Sequence, residues 1–587
     1  MAGGGARGVA KGAAGVKVVG RRPFPLDRQW PWLLPLLVGV AWVLAVAIGD
    51  GRPWLNGGGW VLVGRFVGAA RSPELSPEFL AVVGAATLKT LAFAVCGTVA
   101  SLGLGAVGGL LGSRLLWRAV WPGVAAGAGG PWLAIRAAIA VPRAIHEAIW
   151  GLLFVSLFGL DPLVAIAAIA LPFGAAVAKV FSEILDETPP EPFQALLAAG
   201  ASPMGAFCYG LLPGAFLNLL AYGFYRFECA LRSAAVLGII GAGGLGYEIL
   251  LSLRSLRYGQ LWTLLAALAV LTGLTDWWSG AVRSRLGTPT RLDLTHGPKP
   301  TPSPGQSPIR GDGAGRSRFL WGSAIAALIL TVVSFRTLGA DYQKLWAPQT
   351  WERLQRMGDR LWPLPWEQFL DLWEPCRDTL AMATLAIAVA GVGGTIFAFL
   401  AARNLTLTRS AFGGDRRDQS WQQSWGGWIL WGSARLLLLI ARAIPEPIWA
   451  LLCLFVLFPG ILPGGIALGL HNLGILGRLM AETVENLDER PLHAIAAGGA
   501  SDLQVFSYGI LPRVWPRFLA YILYRWEVCI RATTVVGLVG AGGLGRLLAE
   551  QTSSFDYGAV AVTLLAFGAV TILADWLGTA VRSASRA

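Results

Sequence analysis

Residues 198–246 recur without a gap, 299 positions later, as residues 497–545, and 24 of the 49 aligned positions are identical. The shared positions are not scattered core leucines. They include Gly-Ala-Ser (200–202 and 499–501), Tyr-Gly-x-Leu-Pro (209–213 and 508–512), Tyr-Arg-x-Glu-x-x-x-Arg (225–232 and 524–531) and Gly-Ala-Gly-Gly-Leu-Gly (241–246 and 540–545). A period this long is that of a duplicated half, not of a solenoid unit, so the chain must fold as two copies of one large helical body.

The composition sets the solvent. Of 587 residues, 55% are hydrophobic and 14% charged, too apolar for an ordinary soluble domain. Apolar runs near 20 residues long, enough to cross about 30 Å of hydrocarbon, fall at 32–49, 80–112, 132–158, 162–184, 214–240 and 258–282. A second set falls at 319–337, 377–402, 428–458, 461–483, 513–539 and 557–581. The expected fold class is therefore an all-α polytopic membrane protein: two parallel six-helix halves with about 12 transmembrane helices. Residues 1–29 read as a basic disordered tail, 30–286 as the first half, 287–317 as a Pro/Gly-rich linker and 318–587 as the second half. The segment at 32–49 has an internal counterpart at 319–337, so both read as retained helices and not as a cleaved leader.

Lys and Arg concentrate in one set of short loops: Arg7 to Arg28, Arg114 and Arg118, residues 283–318, residues 403–417, and Arg582 with Arg586. The positive-inside rule places these, and both termini, in the cytoplasm. The same asymmetry accounts for the net charge of +13 through topology and anionic lipid, without nucleic acid. Cys96, Cys208, Cys229, Cys376, Cys453 and Cys529 show no Cys-x-x-Cys spacing and read as small hydrophobes, not as metal or redox ligands.

Within each half, a polar stretch (185–213 and 484–512) separates the fourth and fifth spans. It holds a short Ala-rich segment stopped by glycine, as expected of a helix lying on the cytoplasmic surface. Here Gln194-Ala195-Leu196-x-x-x-Gly200 with Leu212-Pro213, and His493-Ala494-Ile495-x-x-x-Gly499 with Leu511-Pro512, resemble the Glu-Ala-Ala loop of bacterial ABC-importer permeases. With Arg-Ala-Ile-Pro-Glu (442–446; Arg-Ala-Ile-His-Glu at 143–147), Tyr-Arg-x-Glu-x-x-x-Arg and the glycine-rich hexapeptide, the chain is similar to phosphonate-type permease subunits, here duplicated in tandem. It departs from the pattern where Gln194 and His493 replace the leading Glu, and where His146 stands opposite Pro445.

The resemblance implies a multi-pass subunit of the bacterial inner membrane that serves an importer of phosphonate, phosphite or phosphate. An external solute-binding protein would deliver the cargo. Two copies of a cytoplasmic ATPase would grip Gln194, Ala195, Gly200, Ala201 and Ser202, and His493, Ala494, Gly499, Ala500 and Ser501. None of the six lysines follows a glycine, so the chain has no Gly-x-x-x-x-Gly-Lys phosphate cradle; ATP and Mg would belong to the partner, and no catalytic residue, metal or cofactor is expected in this chain.

The candidate substrate path consists of Arg226, Glu228, Arg232, Arg525, Glu527 and Arg531, charges at mid-span depth that face a bundle interior or a water-filled path. Helical spacing pairs Glu228 with Arg232 at i, i+4 and leaves Arg226 as a surplus cation suited to an oxyanion. The competing expectation is that Asp276 and Asp575 neutralise the surplus and the set staples helices together. Arg143 with Glu147, and Arg442 with Glu446, read as i, i+4 structural pairs within the third spans. Gly241, Gly243, Gly244, Gly540, Gly542 and Gly543 read as a bend or close packing near the external gate, not as a nucleotide loop. Two other classes share these features: a permease of the methionine or osmolyte type, and a secondary transporter with parallel repeats.

Overall fold

The computed structural model describes residues 55–120, 130–286, 313–407 and 421–586, with a few positions between 39 and 46. The expected tail, most of the first span at 32–49 and nearly all of the expected linker lie outside the described residues. The first half includes α1 (Pro77–Gly112), α2 (Gly130–Ala144), α3 (Glu147–Phe158), α4 (Pro162–Glu187), α5 (Glu191–Ala198), α6 (Leu212–Leu237), α7 (Leu245–Arg254) and α8 (Tyr258–Leu286), preceded by a short apolar helix at Gly59–Ala69. The second half has α9 (Gly313–Thr337), α10 (Pro348–Leu361), α11 (Trp373–Ala401), α12 (Trp421–Ala443), α13 (Glu446–Val456), α14 (Ile461–Glu485), α15 (Arg490–Ala497), α16 (Leu511–Val536), α17 (Gly543–Ser553) and α18 (Tyr557–Arg586). Helix α9 begins inside the expected linker. Among the described residues, extended pairing is limited to an isolated bridge between Leu55 and Leu457.

Seven of the described helices are long and apolar enough to cross a membrane, or up to ten spans if each of three bent pairs counts as one. The fold is all-α and polytopic, as expected. The third spans are not continuous helices. Helices α2 and α3 meet at 90°, and α12 and α13 at 97°. Pro445 begins α13, because proline lacks the N–H that would continue α12. His146 does the equivalent job by a different route: its Nδ1 accepts from the backbone N–H of Ala148 (3.2 Å), capping α3.

Each half is built on the packing of its second span against its fourth, α1 on α4 and α11 on α14. Small residues let the backbones close. A methyl group on Gly105 would lie 2.2 Å from Val177 Cγ1, and one on Gly465 would lie 2.7 Å from a Leu385 methyl. Helix α14 is less apolar than α4, because it carries His471 and Asn472 where α4 has Pro172 and Phe173.

The halves are joined by ions. Asp276 of α8 accepts from Arg442 of α12 and, at 3.4 Å, from Arg478 of α14. At the opposite end, Asp161 caps α4 and accepts from Lys344 Nζ at 2.6 Å. Burial pushes the Asp161 carboxyl up, but Lys344 and the backbone N–H groups of Leu163 and Asp341 outweigh it and hold the group below the usual carboxylate range.

The fifth spans end in a tight reversal that depends on close backbone approach. A methyl group on Gly246 would sit 1.8 Å from the Ala235 carbonyl oxygen, and one on Gly545 would sit 2.5 Å from that of Thr534. Gly246→Ala and Gly545→Ala should each cost about 1–3 kcal/mol, measured as a fall in the melting midpoint of the detergent-solubilised chain. An unchanged midpoint in either variant would show that the reversal can open to admit a side chain.

Candidate functional site: twin surface ledges and a mid-helix charge cluster

The two short surface helices form as expected. In α5, Phe193 is the buried anchor; in α15, Leu492 is. Gly200 and Gly499, both at φ +87°, stop them in the left-handed region that suits glycine. The serine that follows starts the next segment: Ser202 Oγ accepts from the Gly205 N–H (3.1 Å), and Ser501 completes a capping box with Gln504. Gln194, Ala195, His493, Ala494, Gly200, Gly499, Ser202 and Ser501 are exposed, while Ala201 and Ala500 are half-buried. His493 Nε2 lies 4.0 Å from Glu489. Met204, Tyr209, Leu503 and Tyr508 stand out beside these turns, giving each half an exposed apolar ridge.

Both fifth helices start from a π-helical turn, Phe207–Leu211 and Val505–Ile510, and then run as α6 and α16. Arg226 lies about 21 Å along α6, near its middle. The two helices come within electrostatic reach through Tyr225 and Tyr524, which remain 42% and 50% exposed.

The charges of this region divide into two groups. Most are matched to opposite charges, although not to the partners that helical spacing suggests. Glu228 does not pair with Arg232; it turns to α8, accepting from Ser279 Oγ (2.6 Å) and Arg283 (3.2 Å). Arg232 contacts Cys229 Sγ (3.6 Å) and lies within electrostatic reach of Glu446 and Asp276. In the second half the i, i+4 pair does form, between Glu527 and Arg531 at 3.6 Å. The expected third-span pairs are absent because the right-angle break falls between their members. Glu147 accepts from Ser233 (2.6 Å). Glu446 meets His471 Nε2 (3.2 Å), whose Nδ1 faces the Ile444 carbonyl left free by the break (2.9 Å). Arg442 takes Asp276, and Arg143 lies within reach of Glu527, Arg531 and Asp575.

The second group consists of Arg226 and Arg525: like Arg143 and Arg232 they form no ion pair among the described residues, but each is held by hydrogen bonds to a neutral side-chain oxygen. Arg226 donates from Nε to the Tyr222 hydroxyl (2.8 Å), and its guanidinium lies 5.1 Å from the ring centres of Phe173 and Tyr222 and 5.7 Å from that of Tyr225. Arg525 donates from Nε (2.8 Å) and Nη2 to Oδ1 of Asn472. Asp276 therefore does not neutralise the surplus cation of α6. It is committed to Arg442 and Arg478 of the other half.

The glycine-rich turns adopt backbone that other residues rarely reach: φ is +110°, +92° and +79° at Gly241, Gly243 and Gly244, and +103°, +93° and +68° at Gly540, Gly542 and Gly543. Each turn leads into a short helix, α7 or α17, whose first free N–H groups need acceptors. Thr90 of α1 accepts from Leu245 N (2.8 Å), and Thr379 of α11 accepts from Leu544 N (2.9 Å). Sequence reasoning missed these threonines, as it missed Asn472 and His471. A cavity of about 150 Å³ beside the first turn is lined by Lys89, Asp161, Leu160 and Gly241. Among the described residues, no three His, Cys, Asp or Glu side chains come together in a metal-holding group.

The model of the binding-protein-dependent transport system inner membrane component matches the chain twice, at residues 124–288 and 424–586. The phosphate-import permease protein PhnE of Mycolicibacterium smegmatis is 28% identical over 505 residues, covering 84% of this chain and 85% of that protein. The phosphite transport system permease protein PtxC of Stutzerimonas stutzeri is 38% identical over 201 residues, covering 34% of this chain and 66% of that protein. No solved structure matches the chain significantly. The chain therefore belongs to the family of binding-protein-dependent transport system inner membrane components, as a permease with the family's domain repeated in tandem.

Proposed function

We propose that this permease forms the complete membrane path of an ABC importer for a phosphorus oxyanion: phosphate, phosphite or a phosphonate. Its two halves stand in for the usual pair of subunits. The observation that carries this reading is the pairing pattern at mid-span. Every carboxylate of the cluster has a hydrogen-bonding or charged neighbour, yet Arg226 and Arg525 are held by neutral groups alone. A guanidinium at such depth is costly without a counter-charge, and its planar fork matches an oxyanion. A passing phosphate or phosphonate supplies the missing charge. The names of the two relatives, one a phosphate permease and one a phosphite permease, support the same class of cargo.

In this reading the ledges at Gln194 to Ser202 and His493 to Ser501 face the cytoplasm, as do both termini, and each receives one copy of an ATPase. The exposed ridges at Met204, Tyr209, Leu503 and Tyr508 supply apolar contact, which offsets the loss of the carboxylate that Gln194 and His493 replace. ATP and Mg bind to those partners. A solute-binding protein delivers cargo to the opposite side, where the glycine turns at Gly241 and Gly540 hold the short helices α7 and α17 beside the second spans. The permease itself makes and breaks no covalent bond; it alternates between two conformations whose balance the partners shift.

Two experiments test this. In proteoliposomes containing the chain, its binding protein and its ATPase, Arg226→Gln combined with Arg525→Gln should lower ATP-dependent uptake of radiolabelled phosphate, phosphite or methylphosphonate by roughly 100-fold or more, while assembly with the ATPase is kept. Wild-type rates in the double variant would remove these arginines from the path, and uptake driven by an ion gradient without ATP would identify a secondary transporter. For orientation, cysteines at Ser202 and Ser501 in a Cys208→Ser background should resist an impermeant thiol reagent in intact cells and react in inside-out vesicles. Reaction in intact cells would overturn the coupling role.

A further inference from the structure

The two halves hold their mid-span arginines by different chemistry, and the difference lies in the fourth helices. In the first half α4 offers Phe173, and Arg226 is enclosed by that ring, the two tyrosine rings and the Tyr222 hydroxyl. Stacking on aromatic faces stabilises a desolvated cation and tethers the side chain to its cage. In the second half α14 offers Asn472 at the equivalent position. Its Nδ2 donates to the Leu468 carbonyl (2.8 Å), which aims Oδ1 at Arg525. Tyr521, the counterpart of Tyr222, is instead an acceptor for the Thr483 hydroxyl (3.4 Å). Arg525 thus has no aromatic cage among the described residues, and its Nη1 edge has no protein acceptor there. Asn472 is 1% exposed, and burying an amide this deep in a span requires that both ends be satisfied, as they are.

Building on the oxyanion reading above, we infer that the halves are unequal: Arg525 makes the transport-determining contact with the anion, and Asn472 is the positioning residue that orients it while leaving its charge uncompensated. Arg226 is the weaker contact, because its charge is already shared with three rings. The neutral character of Asn472 is the essential property. A carboxylate at this position would hold the same fork with the same geometry and would fill the role intended for the cargo.

The test compares four single variants and the double arginine variant of the full chain, reconstituted with binding protein and ATPase, for uptake of radiolabelled phosphate, phosphite and methylphosphonate at saturating binding protein, alongside melting midpoints in detergent. Asn472→Asp should raise or preserve the midpoint, since it creates an ion pair, yet lower uptake about 10- to 100-fold. Asn472→Leu should lower uptake about 3- to 10-fold by freeing the Arg525 rotamer. Arg525→Gln should lose at least about tenfold more than Arg226→Gln. If Asn472→Asp keeps both its midpoint and wild-type uptake, the residue is only structural and the inference fails. Equal losses for the two single arginine variants would show equivalent halves and also overturn it, leaving the oxyanion reading intact. Full uptake by both single variants and by the double variant would instead remove the reading on which the inference rests.

Discussion

A charge placed in hydrocarbon must find an opposite charge, a dipole or water, and the centre of this permease is organised by how each charge meets that demand. Glu228 is held by Ser279 and Arg283, Asp276 by Arg442 and Arg478, Glu446 by His471, and Glu527 by Arg531. Several of these contacts join different helices, and the Asp276 pairs join different halves. Such pairs hold the bundle because breaking one strands a buried ion, at a cost of about 3–5 kcal/mol. Against this background, Arg226 and Arg525 stand out as mid-span cations held by the neutral oxygens of Tyr222 and Asn472.

The broken third spans make that arrangement possible. A continuous helix would have set Arg143 over Glu147 and Arg442 over Glu446, cancelling four charges locally. The right-angle turns separate each pair, sending Arg442 to α8 and Glu446 to α14. They also expose a carbonyl at Ile444, which His471 covers, and an N–H at Ala148, which His146 covers. Histidine suits both tasks because its ring can donate at one nitrogen and accept at the other. Local breaks in helices thereby determine which distant elements are tied together.

Much of this was legible from residues alone. The duplication, the fold class and the positions of most spans follow from apolar length and period, and Gly200 and Gly499 were readable as helix stops because a short apolar segment ending in glycine has few alternatives. Partner choice was not legible. The i, i+4 rule ranks neighbours on one helix, and it held for Glu527 with Arg531. It failed for Glu228, where Ser279 and Arg283 arrive from α8. Asn472 carried a signal that was available: an amide standing where the other half has Phe173, 25 residues before the stretch of dense identity begins. His146 opposite Pro445 carried another, since two unlike residues that both start a helix mark a break and not a pairing site. Thr90 and Thr379 gave no such signal, because a threonine that caps a remote helix looks like any other threonine within its own span.

The account rests on Arg226 and Arg525 being the cations that a passing oxyanion completes. The most direct test is a cryo-EM map of the full chain in lipid nanodiscs, assembled with its ATPase and binding protein and trapped with phosphate, phosphite or methylphosphonate. The account predicts density for the anion within hydrogen-bonding distance of the Arg525 guanidinium, with both arginines still free of carboxylate partners. Anion density along a route that avoids both arginines, or either arginine paired with a carboxylate in the loaded complex, would contradict it.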